Sequence, residues 1–244
     1  MATLKRWVEE KGSLHFTLVD PDKQPPEKAG ELAVLCESYG TDAIMVGGST
    51  VGGRVVDETV GEIKKRCRIP VILFPSTAAG VSAKADYIFW MMLLNSRNRR
   101  FLVGEQVKAA VPLSKTKVKP IPMGYVVIST SSTPTMVEKV GEVERISGVE
   151  VEKAVAHSLA AQYFGMECVY LEAGSGAEKP VPDEMISAVK RALEIPLIVG
   201  GGIRTPDDAR GKVMAGADVV VTGTIAEENP SVLKSIIKAV KARQ

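Results

Sequence analysis

The chain has 244 residues, close to the roughly 250 of a (β/α)₈ barrel, and a chain of this length buries roughly 70–75% of its unfolded surface, so its core needs no disulfide or metal. Its 31 basic and 29 acidic residues leave a formal charge of +2, which offers no overall field to attract nucleic acid. Cys36, Cys67 and Cys168 are odd in number and form no CxxC, which argues against a disulfide framework and for reduced thiols in a cytoplasm; His15 and His157 are too few for a structural zinc site.

Met1 to Lys11 is polar and charged, so no signal peptide is expected. Short apolar runs then alternate with segments of helical period. Leu14–Val19 reads as a strand, and Pro26–Tyr39, opened by prolines and stopped by Gly40, as a helix. Further strands are expected at Ala43–Val46, Pro70–Phe74, Tyr87–Trp90, Gly124–Ser129, Cys168–Leu171, Leu197–Val199 and Val219–Thr222. Most are nearly continuous apolar runs, as in parallel strands buried on both faces. Helices are expected at 150–165, 182–193, 206–215 and 230–242, the last three starting at prolines suited to a first turn. The longest apolar run, Tyr87 to Leu94, is far too short to span a bilayer, which leaves a soluble protein and keeps contact with a membrane surface open.

This alternation predicts an α/β fold, a single TIM (β/α)₈ barrel over residues 1–244, with a doubly wound sheet as the weaker alternative. Two crossovers are irregular. The segment PSTAAGVSAKA after Phe74 is too rich in serine, glycine and small residues for a full helix, so the third crossover is expected to be short or non-helical. Ser129 to Gly148, opening on STSSTPT, is a long insertion of the kind that carries function.

Barrel chemistry sits where the strands end. After the seventh strand comes Gly200-Gly201-Gly202-Ile203-Arg204, and after the eighth Gly223-Thr224. Glycines let a backbone approach an anion and expose N–H donors, and these two loops form the usual phosphate site of the fold. After the sixth strand, Tyr170 and Glu172 alternate with Leu171, which turns the phenol and the carboxylate toward the barrel mouth. Such a pair can hold and activate a hydroxyl; the other reading is a structural carboxylate paired with a core cation. After the first strand comes Asp20-Pro21-Asp22-Lys23, and after the second Gly47-Gly48-Ser49-Thr50. Asp20 and Ser49 stand at adjacent strand ends and offer hard oxygen to Mg²⁺; Asp20 also reads as a turn cap before Pro21. The two features suggest two phosphorylated ligands facing each other, one a simple phosphate and one a group such as a diphosphate. Phe74, Phe89, Trp90 and Tyr125 supply an apolar wall, or simply core. Asn95 to Arg100 can reach a diphosphate or form a solvated face.

The chain resembles the archaeal geranylgeranylglyceryl phosphate synthases, and more distantly the bacterial heptaprenylglyceryl phosphate synthases. The motifs that carry the resemblance are His15-Phe-Thr-Leu-Val-Asp-Pro-Asp-Lys23, Val46-Gly-Gly-Ser49, Tyr170-Leu-Glu-Ala-Gly-Ser-Gly176, Gly200-Gly-Gly-Ile-Arg204 and Gly223-Thr224. The resemblance implies a prenyltransferase of membrane-lipid biosynthesis that joins geranylgeranyl diphosphate to the 3-hydroxyl of sn-glycerol 1-phosphate. It assigns Mg²⁺ to Asp20 and Ser49. It assigns glycerol 1-phosphate to Tyr170, Leu171, Glu172, Ala173, Gly174, Ser175, Gly176, Gly201, Gly202, Gly223 and Thr224, with Glu172 and Tyr170 as the catalytic pair. It also implies a homo-oligomer, dimer or hexamer. Some relatives carry a lysine two residues before the aspartate matching Asp20; here that position is Leu18. The competing readings are a sugar-phosphate isomerase or aldolase on the same fold, which needs a strand-end lysine for a Schiff base, and a barrel that only binds a phosphorylated ligand.

Overall fold

The computed structural model describes residues 3–48 and 53–242. Eight strands among them pair in parallel, each with the next, and the last pairs with the first: β1 (Leu14–Val19), β2 (Ala43–Val46), β3 (Val71–Leu73), β4 (Tyr87–Leu93), β5 (Lys119–Ser129), β6 (Cys168–Glu172), β7 (Leu197–Gly200) and β8 (Val219–Thr222). The sheet is thus a closed barrel and has no free edge. Ile146–Ser147 adds a two-residue strand beside the end of β5.

Alternation along each strand divides the apolar residues between two cores. Leu14, Phe16, Met45, Ile72, Phe89, Tyr170, Ile198 and Val221 fill the lumen. Their neighbours, such as Ile44, Val46, Leu73, Leu171, Val199 and Val220, face the helices. This explains the unbroken apolar runs in the sequence. The helical layer comprises α2 (Pro26–Tyr39), α3 (Gly53–Arg66), α4 (Glu105–Ser114), α6 (Val151–Tyr163), α7 (Asp183–Ala192), α8 (Pro206–Met214) and α10 (Pro230–Lys241). Helix α1 (Thr3–Lys11) buries Leu4 and sets Trp7 edge-on to Phe16 and Tyr87, covering the end of the barrel where the strands begin. Two short helices, α5 (Met136–Val140) and α9 (Thr224–Glu228), lie at the opposite end.

The third crossover holds only a three-residue 3₁₀ turn, Ala78–Gly80, as its composition predicts. Strands β4 and β5 run longer than expected and pair over seven registered positions. The extension of β5 begins Lys119-Pro120 and includes Pro122, and prolines are tolerated near the start of a strand. His15 is fully buried between barrel and helices, its ring nitrogens 2.9 Å from the Thr41 hydroxyl and 3.0 Å from the Thr222 hydroxyl. Burial lowers its pKa to about 3, helped by the Lys241 charge, so it remains neutral and structural. None of the described helices is long and apolar enough to cross a membrane.

Candidate active site

Three connected spaces occupy the end of the barrel where the strands finish. The first is a polar cleft of about 610 Å³ lined by the loops after β6, β7 and β8. Tyr170, Glu172, Ser175, Gly176, Gly201, Gly202, Gly223 and Thr224 all face it. The β6 and β8 loops meet across it, with the Ser175 and Thr224 hydroxyls 3.4 Å apart. Leu171 does not reach the cleft: it points into the helical core, as strand alternation requires. Ala173 is buried in the same core and gives its N–H to the Gly200 carbonyl at 3.0 Å. Gly174 gives its N–H to Glu172 Oε1 at 2.6 Å.

Glu172 is 6% exposed. Burial pushes its carboxyl above the usual carboxylate range, against the pull of the Tyr170 phenol and the Gly174 N–H. Burial, reinforced by the Glu172 charge, also raises the phenols of Tyr170 and Tyr125, which therefore stay protonated as donors. The Tyr170 hydroxyl fits because position 200 is glycine: a Cβ there would lie 2.3 Å from it. Gly201 plays the same part for the carboxylate. Its φ is +81°, and a Cβ would lie 2.3 Å from Glu172 Oε1.

The cleft opens into a chamber of about 750 Å³, and Leu18, Glu172, Ser175, Gly223 and Thr224 line both. On its far side stand Asp20, Lys23, Gly47 and Gly48. Asp20 Oδ1 accepts the Asp22 N–H at 3.0 Å, the turn cap that the sequence allows, while its carboxylate still borders the chamber. Ser49, the second expected metal ligand, lies outside the described residues. No three His, Cys, Asp or Glu side chains among the described residues gather around a possible ion. A lone carboxylate does not make a closed metal cage. It does fit Mg²⁺ held mainly by water and phosphate oxygens.

The chamber continues into an apolar groove of about 700 Å³ through Ser76, Met91, Tyr125 and Val137, which border both spaces. Phe89, Trp90 and Tyr125 line this groove as expected, whereas Phe74 faces the chamber. The groove runs where a third crossover helix would otherwise pack, between the Ala78–Gly80 turn and a π-helical turn, Arg100–Gly104, that leads into α4. Glu105 braces its two sides, accepting the Ala78 N–H at 2.7 Å and pairing with Arg100 at 2.7 Å. The insertion after β5 forms its third wall. Glu138 organises that insertion, accepting from the Ser129 hydroxyl at 2.6 Å and the Thr135 N–H at 2.7 Å.

The run Asn95 to Arg100 borders neither the cleft nor the chamber. The Asn95 amide bonds the Val127 and Glu144 carbonyls, and Ser96 bonds the Gly141 carbonyl. Asn95 and Ser96 thereby anchor the insertion to the end of β5. Arg204 has a role that the motif alone does not reveal. Its guanidinium donates to the Ala177 carbonyl at 2.8 Å and the Glu178 carbonyl at 3.3 Å, fastening the β6 loop to the β7 loop.

A model of the PcrB family matches residues 5–243. The chain belongs to the PcrB family. Among its relatives, geranylgeranylglyceryl phosphate synthase of Thermococcus kodakarensis is 52% identical over 93% of this chain and 89% of its own length. The crystal structure of (S)-3-O-geranylgeranylglyceryl phosphate synthase from Thermoplasma acidophilum, in complex with sn-glycerol-1-phosphate, superposes with a TM-score of 0.93 at 43% identity, covering 99% of both chains. The wild-type enzyme from Thermoplasma volcanium gives a TM-score of 0.92 at 44% identity, over 100% of this chain and 99% of its own.

Proposed function

We propose that this PcrB family member is a prenyltransferase that joins the geranylgeranyl group of geranylgeranyl diphosphate to the 3-hydroxyl of sn-glycerol 1-phosphate. One observation carries the reading: a glycine-lined cleft and an apolar groove open into the same chamber, and Glu172 stands at the join. The Thermoplasma acidophilum relative, bound to sn-glycerol-1-phosphate, supports the acceptor.

The acceptor phosphate sits in the cleft against the loops of Ser175, Gly201, Gly202 and Gly223. This directs its hydroxyl end toward Glu172. The prenyl chain lies in the groove, which keeps water from the allylic carbon. The C1–O bond to diphosphate breaks, the glycerol oxygen attacks C1 to form the ether, and its proton passes to the Glu172 carboxylate. Tyr170, a neutral donor, holds that carboxylate in place. Mg²⁺ at the Asp20 corner supplies charge neutralisation for the diphosphate when bound. Assembly as a dimer or hexamer and residence in the cytoplasm belong to the same reading, and the exposed Tyr163 and Phe164 at the end of α6 suit a contact between copies.

An aldolase would need a buried amine at the mouth. Among the described residues lining the chamber the only amine is Lys23, whose side chain is 42% exposed and ion-paired. The test is incubation with Mg²⁺, sn-glycerol 1-phosphate and prenyl diphosphates of several lengths, followed by product mass. A geranylgeranyl ether is expected. No ether at any chain length refutes the reading.

A further inference from the structure

The chamber has an unusual charge balance for a space meant to hold a diphosphate. Among its described lining residues, Asp20, Glu172 and Glu227 face a single cation, Lys23. The strand that supplies Asp20 offers no help, because the lumen-facing residue two positions earlier is Leu18. Lys23 Nζ lies 3.1 Å from Glu227 Oε2, with side-chain exposures of 42% and 17%. Both partners are anchored to the Asp20 corner. The Lys23 N–H donates to the Asp20 carbonyl at 3.1 Å, and Glu227 accepts the Asp20 N–H. Glu227 lies on α9, three residues after Thr224 of the phosphate cleft.

A half-exposed lysine–carboxylate pair is weak. A diphosphate oxygen offers the same ammonium a short charge-assisted bond in a more enclosed space. The ammonium therefore changes partner readily when such an oxygen arrives. We propose that Lys23 is the catalytic cation for the departing diphosphate, and that Glu227 is a positioning residue that parks it beside Asp20 until the donor binds. The inference rests on the prenyl-transfer reading above. As the C1–O bond breaks, its electron pair stays on the diphosphate oxygen, and Lys23 donates a hydrogen bond to that group without losing its proton. The diphosphate then leaves and the ammonium returns to Glu227.

Calorimetry on the full chain separates this role from a plain ion pair. Inorganic pyrophosphate with Mg²⁺ is titrated into each variant, and sn-glycerol 1-phosphate is titrated separately as the reference. Lys23→Met and Lys23→Gln are expected to weaken pyrophosphate binding about tenfold to a hundredfold while leaving glycerol 1-phosphate within twofold. Lys23→Arg keeps part of the affinity. Glu227→Gln is expected to act in the opposite direction and tighten pyrophosphate several-fold, because it removes the competing acceptor yet leaves a carbonyl for the Asp20 N–H. A structural ion pair would make Lys23→Met and Glu227→Gln weaken binding alike, and that outcome overturns the proposal. So does an unchanged ratio of the two affinities in both Lys23 variants. An unaltered chain that binds pyrophosphate but forms no ether counts against the prenyl-transfer reading alone.

Discussion

Gly201→Ala and Gly165→Ala form a matched pair. Both glycines have left-handed backbones, with φ of +81° and +78°. The residue is alanine in either case, so both variants take on the same strain of about 1–2 kcal/mol. Their surroundings differ. A Cβ at position 165 meets nothing within 4 Å, whereas one at position 201 would lie 2.3 Å from Glu172 Oε1, 2.7 Å from the Gly174 nitrogen and 2.9 Å from the Ala173 nitrogen. Two of those three atoms are backbone and cannot rotate away. Glu172 must swing aside and loses the 2.6 Å bond from Gly174, and a bond to a charged group contributes about 1.5–3 kcal/mol. Gly201→Ala should therefore cost roughly 2.5–5 kcal/mol of stability against about 1–2 kcal/mol for Gly165→Ala. Displacing the carboxylate by about 1 Å should also lower kcat/KM about a hundredfold, while Gly165→Ala leaves it unchanged. Chemical denaturation of both variants and steady-state rates with both substrates check the comparison. Equal stability losses together with full activity in Gly201→Ala would refute the argument that this glycine makes room for the carboxylate.

Glu172→Gln should abolish most turnover yet raise the melting temperature at pH 7, because a neutral amide avoids burying a charge. The sign follows from the raised carboxyl pKa: the penalty on the natural fold is absent below about pH 4.5 and grows as pH rises through the folded value. The melting-temperature gap between variant and natural chain should widen over that window. The acid limb of kcat/KM should lie above 4.5, and a limb below it would contradict the burial. Arg204→Met releases the Ala177 and Glu178 carbonyls. It should raise KM for glycerol 1-phosphate about tenfold, the effect of losing roughly one charge-assisted bond, and leave KM for the prenyl donor alone. Ala109 is 4% exposed and lines the groove, so Ala109→Phe should shift product mass toward shorter prenyl chains. An unaltered product range would move the chain out of this groove.

The barrel was legible because β1, β2 and β8 are mostly apolar runs, and their ends match the sequence reading residue for residue. The cleft was legible for the same reason, since strand ends fix where a glycine loop must sit. Leu171 and Ala173 fell inside the contiguous motif yet face the helices, because a motif is read along the chain while a site is built from one face of it. Helix α3 has Val56, Val60 and Ile63 on one side, a helical period that the sequence reading passed over. Helix α4 was hidden: it starts from a π-helical turn at the end of a charged run and contains Pro112. Lys23 and Glu227 lie 204 positions apart, and no local pattern joins them.

The groove also fixes how a Lys23 substitution should divide between binding and rate. Each methylene moved from water into an apolar wall contributes about 0.8 kcal/mol, so ten buried carbons of a prenyl chain supply about 8 kcal/mol, set against the cost of association. The tail therefore supplies a large share of the energy that holds the donor. The Lys23 ammonium is then free to act on charge that develops only as the C1–O bond breaks, which is where stabilisation raises kcat. Lys23→Met should accordingly lower kcat about tenfold or more while changing the donor KM less than threefold, although it weakens free pyrophosphate, which has no tail. Shortening the donor to a five-carbon prenyl diphosphate removes most of the apolar anchor. With that substrate the same substitution should appear in KM as well. A loss confined to KM with the full-length donor would mean that the polar corner, not the groove, holds the substrate.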